Sequence, residues 1–162
     1  MRRLNPAHLE AVRQIIQSAP FVHMVGIRAV ELDYGHCRLE LSLEPRHMNP
    51  FGGLHGGVYS SAIDTAAYWA CYCHLPEQTG FISADLNVSN LSAVREGKLI
   101  ILGRTIKIGK TLCLAEGRVE SEDGRLLAHG TSKMLVTQGL QFLDQAVENL
   151  GLPPLPPKFL ED

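Results

Sequence analysis

The stretch Asn49-Pro50-Phe51-Gly52-Gly53-Leu54-His55-Gly56-Gly57, running on into Val58-Tyr59-Ser60-Ser61-Ala62-Ile63-Asp64-Thr65-Ala66-Ala67-Tyr68-Trp69-Ala70, decides how this chain folds. Residues 44–54 hold two prolines and two glycines and read as a loop. From Gly56 to about His74 the period changes. Tyr59, Ala62, Ile63, Ala66, Ala67 and Ala70 recur at i, i+3 and i+4, the stripe of an amphipathic helix. Alanine dominates that stripe, so the helix can approach its partner closely. The opposite stripe carries Gly57, Ser60, Ser61, Asp64, Thr65 and Tyr68.

Strand patterns lie on both sides. Upstream, Asn5 and Pro6 form a helix start, an N-cap followed by a residue suited to the first turn. Leu9, Val12, Ile15 and Ile16 continue at helical spacing, and Pro20 closes this segment, about residues 5–19. Residues 27–33 and 36–44 read as a strand pair around Tyr34-Gly35, with Cys37, Leu39, Leu41 and Leu43 on a buried face. Downstream, Ile82, Ala84, Leu86 and Val88 alternate with Ser83, Asp85, Asn87 and Ser89. Residues 99–108, 111–121 and 126–136 complete the strands, the last two joined at Asp123-Gly124, a hairpin signal. Residues 138–162 read as a peripheral tail with one helical segment and a Pro-rich end. The expectation is an α+β fold in which one long central helix is wrapped by an antiparallel sheet of about six strands. All 162 residues form one domain with its core at about 26–137. The helix covers only part of such a sheet, so a second subunit is expected on a remaining face or edge.

Composition narrows the function. With 15 Lys+Arg against 17 Asp+Glu and 6% aromatic residues, the chain lacks both the clustered cations and the stacking platforms of a nucleic-acid binder. Its longest apolar run, residues 66–73, is far short of the roughly 20 residues of a spanning helix. No signal segment is legible, so a cytoplasmic protein with reduced, buried Cys37, Cys71, Cys73 and Cys113 is expected. Cys71, Cys73 and His74 lack a second ligand pair, and residues two apart on a helix point to different faces, so no metal is expected.

Glycine, 15 residues of 162, is somewhat above the roughly 7% average, and Gly52, Gly53, Gly56 and Gly57 cluster. Gly56 and Gly57 either permit a tight turn or bare the first helical N–H groups to a ligand oxygen. Asp64, a poor helix former in mid-helix, is either solvated or held for a purpose. Two turns separate Gly57 from Asp64, roughly 10 Å along one helix axis. One carbonyl cannot meet both from the same helix. Acting together, they must come from two chains with antiparallel helices.

Asn49, then His55-Gly56-Gly57, then Asp64 nine residues after the histidine, resembles the active-site signature of hotdog-fold acyl-CoA thioesterases. The PaaI-like branch, which includes the thioesterase superfamily member 2-like proteins, is the nearest in pattern. Residues 83–88 (Ser-Ala-Asp-Leu-Asn-Val) and 107–112 (Lys-Ile-Gly-Lys-Thr-Leu) agree, and the likeness covers about 26–136. The resemblance implies hydrolysis of an acyl- or aryl-acyl-CoA to free acid and CoA, with no cofactor beyond the substrate. It implies that Gly57 donates its N–H to the thioester carbonyl, that Asn49 helps hold it, and that His55 shapes the loop. Asp64 of the partner subunit would be general base or nucleophile, with Ser83 positioning it or the water. Gly56, Lys107, Gly109, Lys110 and Thr111 would contact substrate, and Asn90 stands at a further contact position where the family carries an aromatic residue. Homodimers with shared sites, paired into tetramers, are implied. Two other readings share these residues: a non-catalytic acyl-CoA-binding hotdog module, and a hotdog dehydratase.

Overall fold

A computed structural model describes residues 2–160. Helix α1 (Pro6–Ser18) is capped by the Asn5 side chain, which accepts from Ala7 N–H at 3.0 Å. Pro20 does more than end it. It opens a short second helix, α2 (Pro20–Val25), closed by Gly26 in the left-handed region (φ 87°), because proline fits the first turn of a helix as readily as it stops the one before. Strands β1 (Arg28–Asp33) and β2 (His36–Ser42) follow. Residues 43–55 cross the end of the sheet through a single 3-10 turn at Pro45–His47. Helix α3 (Gly56–Tyr72) comes next, then β3 (Thr79–Asn90), β4 (Lys98–Lys107), β5 (Leu112–Ser121), β6 (Leu126–Gln138) and α4 (Leu143–Leu150).

The six strands form one antiparallel sheet in the order β1-β2-β4-β5-β6-β3, with β1 and β3 at its edges. Helix α3 lies in its concave face, as the resemblance implies. The whole expected stripe, Tyr59, Ala62, Ile63, Ala66, Ala67 and Ala70, is buried. What lets the helix in is a row across the sheet: Gly103, Gly117 and Gly130 are direct neighbours on β4, β5 and β6. A Cβ on Gly103 would run into the Ala66 carbonyl, and one on Gly117 would lie 3.0 Å from the Ile63 side chain. Alanine on one surface and glycine on the other bring two backbones together, and dispersion contacts replace water over the whole seam. Gly103→Ala is therefore expected to cost about 2–3 kcal/mol by overpacking, read as a lower chemical-denaturation midpoint with unchanged slope.

Strand β3 departs from the simple alternation. Its register with β6 shifts between Ser83 and Asp85, leaving Ala84 as a bulge. Phe81 and Ser83 pair toward the helix side, and after the bulge Leu86, Val88 and Asn90 take that side, opposite Ser132, Gly130 and Ala128. The expected polar face of β3 is thus divided: Ser83 faces the helix, whereas Asp85 faces outward and meets Lys133 Nζ at 2.6 Å.

The C-terminal tail is not peripheral. Lys158 is fully buried. Its ammonium donates to the Tyr72 and Leu75 carbonyls at 2.7 Å each, and sits 3.8 Å over the Tyr72 ring. The Tyr72 carbonyl ends α3 and that of Leu75 lies in the turn that follows, so the cation meets the negative pole of the helix. Leu4 bridges Phe159, Asn5 N–H donates to the Lys158 carbonyl, and Leu160 N–H to that of Arg3. His8 completes the knot, bonded to Tyr72 Oη and the Pro156 carbonyl at 2.7 Å each. All four cysteines are free and buried. Cys71 packs with Cys113 and Ala115, whereas Cys73 joins the cluster that holds Cys37.

Burial lowers the Lys158 pKa to about 8. The folded state therefore sheds this proton well below the roughly 10.4 of an exposed lysine, and its contribution to stability rises as pH climbs between those values. Lys158→Met is expected to lose roughly 2–4 kcal/mol at pH 7 through two carbonyls left without a donor. The gap between wild type and variant should widen from pH 7.5 to 9.5 in urea titrations.

Candidate active site

The expected site residues fall into three groups. The first surrounds the start of α3. Asn49 Oδ1 accepts from the N–H groups of Phe51 (2.9 Å) and Gly53 (3.2 Å), and Arg95 donates to the Phe51 carbonyl at 3.2 Å, so the loop is tied at both flanks. This leaves the Asn49 amide NH2 as the donor free for other use. His55 is the N-cap of α3, and its Nδ1 accepts from Gly57 N–H at 2.8 Å. The ring thereby takes the donor that the resemblance assigns to a ligand. Gly56, the first residue of the helix, has no intrahelical acceptor for its own N–H, and among the described residues no other acceptor engages it. Asn90 arrives at the same place from the far end of β3. A Cβ on Gly56 would sit 2.8 Å from the Asn90 amide nitrogen, so glycine leaves room for that side chain.

His47 has no place at this site. It is buried, accepting from Glu44 N–H at 2.9 Å through Nδ1 and bonded to the Val25 carbonyl at 2.6 Å through Nε2. It ties the loop to the end of α2. Tyr59 is core, its hydroxyl donating to the Ser92 carbonyl, and Phe51 stands 86% exposed.

The second group lies two turns along α3. Ser83 Oγ donates to Asp64 Oδ1 at 3.0 Å. Ser132 Oγ lies 3.3 Å from that same oxygen and 3.1 Å from the Asp85 carbonyl. Asp64 is half-buried; its Oδ1 accepts from Ser83 on β3 and shares the single Ser132 proton with the Asp85 carbonyl, while Oδ2 has no hydrogen bond among the described residues. The bulge at Ala84 makes this possible, because it keeps Ser83 on the helix side while β3 continues to pair. Ser132 was not legible as a functional residue. Its signal was a hydroxyl on β6 in an inward series otherwise made of Ala128, Gly130 and Met134.

The third group is the β4–β5 turn. Gly109 is required there, because a Cβ would meet the Leu112 carbonyl. Lys107 and Lys110 pair with no carboxylate among the described residues. Lys110 and Gly109 line a surface hollow with His74 and Leu75, beyond the end of α3. Within one chain the lysine turn and the glycine loop therefore lie at opposite ends of a 17-residue helix, about 25 Å apart along its axis. Among the described residues no helix is long and apolar enough to cross a membrane.

The fold agrees with what the chain is similar to. Residues 51–128 match the family model described as the thioesterase superfamily. Human acyl-coenzyme A thioesterase 13 is 27% identical over 133 residues, 80% of this chain and 94% of the relative. The mouse protein of that name is 31% identical over 93 residues, 56% and 66% of the two chains. Among solved structures, a thioesterase from Haemophilus influenzae superposes with a TM-score of 0.77 at 25% identity, covering 87% of this chain and 98% of that one. Zebrafish thioesterase superfamily member 2 gives 0.70 at 24%, covering 78% and 96%. A helix cradled by a six-stranded antiparallel sheet, together with these matches, gives the chain the hotdog fold of the thioesterases it resembles, with residues 51–128 carrying the likeness to the thioesterase superfamily.

Proposed function

We propose that the protein hydrolyses the thioester of an acyl-CoA at a site shared between two copies of the chain. The observation that carries this reading is the fixed carboxylate: Asp64 is held through Oδ1 by Ser83 and Ser132, with Oδ2 free. The start of α3 receives the thioester carbonyl, with Gly56 N–H as the unengaged donor, Gly57 N–H shared with His55, and the Asn49 amide alongside. Donors aimed at a developing oxyanion stabilise it more than the ground-state carbonyl. Asp64 Oδ2 either takes a proton from the attacking water or adds to the carbonyl carbon itself. In both routes the C–S bond breaks and CoA leaves as thiolate; in the second, water then cleaves the acyl–Asp64 anhydride, which releases the acid and restores the carboxylate. Only the thioester and water are consumed, so the reaction calls for no cofactor.

Two helix turns between Gly57 and Asp64 require that the carbonyl donors and the carboxylate of one site belong to different chains. Edge strand β3 supplies the means. Its outer row of N–H and C=O groups is a template for a second strand, and antiparallel pairing of two β3 strands would set the α3 helices side by side in opposite directions. The same reversal would bring the partner's lysine turn toward the helix start, where its two cations suit the phosphates of CoA. Pairing of such dimers into tetramers and a cytoplasmic setting complete the reading.

Asp64→Asn is expected to lower kcat for CoA release by about 10^2- to 10^4-fold with the fold and dimer intact. Ser132→Ala should lower it about tenfold, as loss of one hydrogen bond to a charged group predicts. Both are read with a thiol reagent across short, medium, long and aromatic acyl-CoAs. Retained turnover in Asp64→Asn removes its assigned role, and tight binding without release by wild type favours a binding module instead. Sharing is tested by hybrids. Gly56→Pro deletes one N–H at a helix position that tolerates proline, after a residue already extended (His55 φ -66°, ψ 134°), and its Cβ pushes the flexible Asn90 amide aside. Mixing and co-refolding Gly56→Pro with Asp64→Asn should recover activity that neither variant has alone, because each hybrid dimer contains one intact site.

A further inference from the structure

Beside Asp64 opens a cleft of about 570 Å3 that the reading above leaves unused. Its floor is the second half of α3, from Asp64 to Trp69. One wall is the junction of α1 and α2, and the other is α4 with the residues leading into it. The volume lies within the roughly 300–1,000 Å3 of small-molecule sites.

The lining has an unusual charge pattern. Among the described residues Asp64 is its only charged one, and no Lys, Arg or His joins it. Tyr68 and Trp69 meet edge to face, with centroids 5.2 Å apart at 65°, which gives the floor a rigid aromatic surface. Burial holds the Tyr68 hydroxyl neutral, its pKa pushed up to about 12. Phe21 stands at the rim of the α2 side, 55% exposed, and Phe142 faces it from the α4 side. A ligand carboxylate placed here would find no cation and would be repelled by Asp64. An uncharged hydrocarbon would exchange water for aromatic and aliphatic carbon.

We propose that this cleft is the acyl site, and that it selects uncharged, apolar acyl groups larger than acetyl, with α4 as the wall that sets their size. The inference rests on the thioesterase reading, since the carboxylate at the cleft's edge is the one assigned to the chemistry. A thioester whose carbonyl reaches Asp64 then has one direction in which its acyl carbon chain can continue without meeting solvent. Both walls lie outside the segment matched by the family model, residues 51–128. The α4 wall is fixed in place, since the segment following it is fastened by buried Lys158.

The test is CoA release from acetyl-, octanoyl-, phenylacetyl- and succinyl-CoA by wild type and three α4 variants. Ala146→Phe and Asn149→Trp fill the cleft from α4. Glu148→Trp adds bulk to the same helix at an exposed residue outside the lining. Wild type should favour octanoyl and phenylacetyl over succinyl and acetyl by about tenfold or more in kcat/KM. Either filling variant should lose about tenfold or more on octanoyl-CoA while acetyl-CoA turnover stays unchanged, and Glu148→Trp should match wild type. Thermal melts establish that each variant folds, and Asn149→Trp, at an exposed position, stands in if Ala146→Phe does not. Equal losses on all substrates, no loss on any, or succinyl-CoA turned over as well as octanoyl-CoA would overturn the proposal. So would a filling variant that changes only the oligomeric state, which would make the cleft a seat for the second subunit. If wild type releases CoA from nothing, the thioesterase reading falls and the cleft is read by calorimetry with a non-hydrolysable octanoyl-CoA thioether. Tighter binding than CoA itself, abolished by Asn149→Trp, supports the acyl site; equal binding overturns it.

Discussion

Contact between a helix faced with alanine and a sheet crossed by glycine is the constraint from which the remaining features follow. Gly103, Gly117 and Gly130 align across three strands because the antiparallel register places them there, and α3 settles into the groove they leave. At such a separation neither surface has room for a larger side chain, so the helix can neither rotate nor slide without a clash. That rigidity fixes the positions of residues on the outer side of α3, Asp64 among them. A carboxylate in mid-helix is useful only if its direction is set, and here the core sets it before any polar contact is counted.

The two hydroxyls then refine what packing has established. Ser83 and Ser132 come from neighbouring strands, and a one-residue bulge at Ala84 brings the first into range. Without the bulge, the phase of β3 that presents Phe81 and Ser83 to the helix would turn Leu86 and Val88 outward. The bulge satisfies both demands on an edge strand, where an extra residue disturbs only one ladder. The helix start is organised differently, by backbone donors and a loop closed through Asn49. Its polarity comes from peptide geometry rather than from ionised groups, which suits a site where charge appears only during reaction.

Much of this was legible in the sequence wherever burial and periodicity coincide. The stripe of α3 and the alternation of β2 were readable because one face of each is wholly enclosed. The phase of β3 was not, since Ala84 carries no mark of a bulge and an edge strand is exposed on both sides of the pattern. The glycine row was illegible for another reason: it exists only in the register between strands, and three glycines some 13 residues apart look unrelated along the chain. Pro20 was read as a stop because one proline serves both roles. The tail was read as peripheral from its Pro-rich end, and only the tertiary fold supplies the Tyr72 and Leu75 carbonyls and the ring that make Lys158 an internal residue. In the candidate site, the glycines and Asp64 stood out by residue type, but the engagement of Gly57 by His55 depends on a cap geometry that a pattern of letters does not contain.

The knot between the chain's two ends gives the cleft a property of its own. Leu4 and Phe159, Asn5 and Lys158, Arg3 and Leu160 are joined across it, while one wall of the cleft hangs from the N-terminal side of this clasp and the other from the C-terminal side. The two walls therefore hang from one hydrogen-bonded frame. A ligand that bound the cleft more tightly with the clasp closed than open would favour closure, and closure would favour that ligand by the same free energy. On the proposed reading of the cleft, residues of the clasp, far from the thioester, enter the equilibrium that determines how firmly an acyl chain is held.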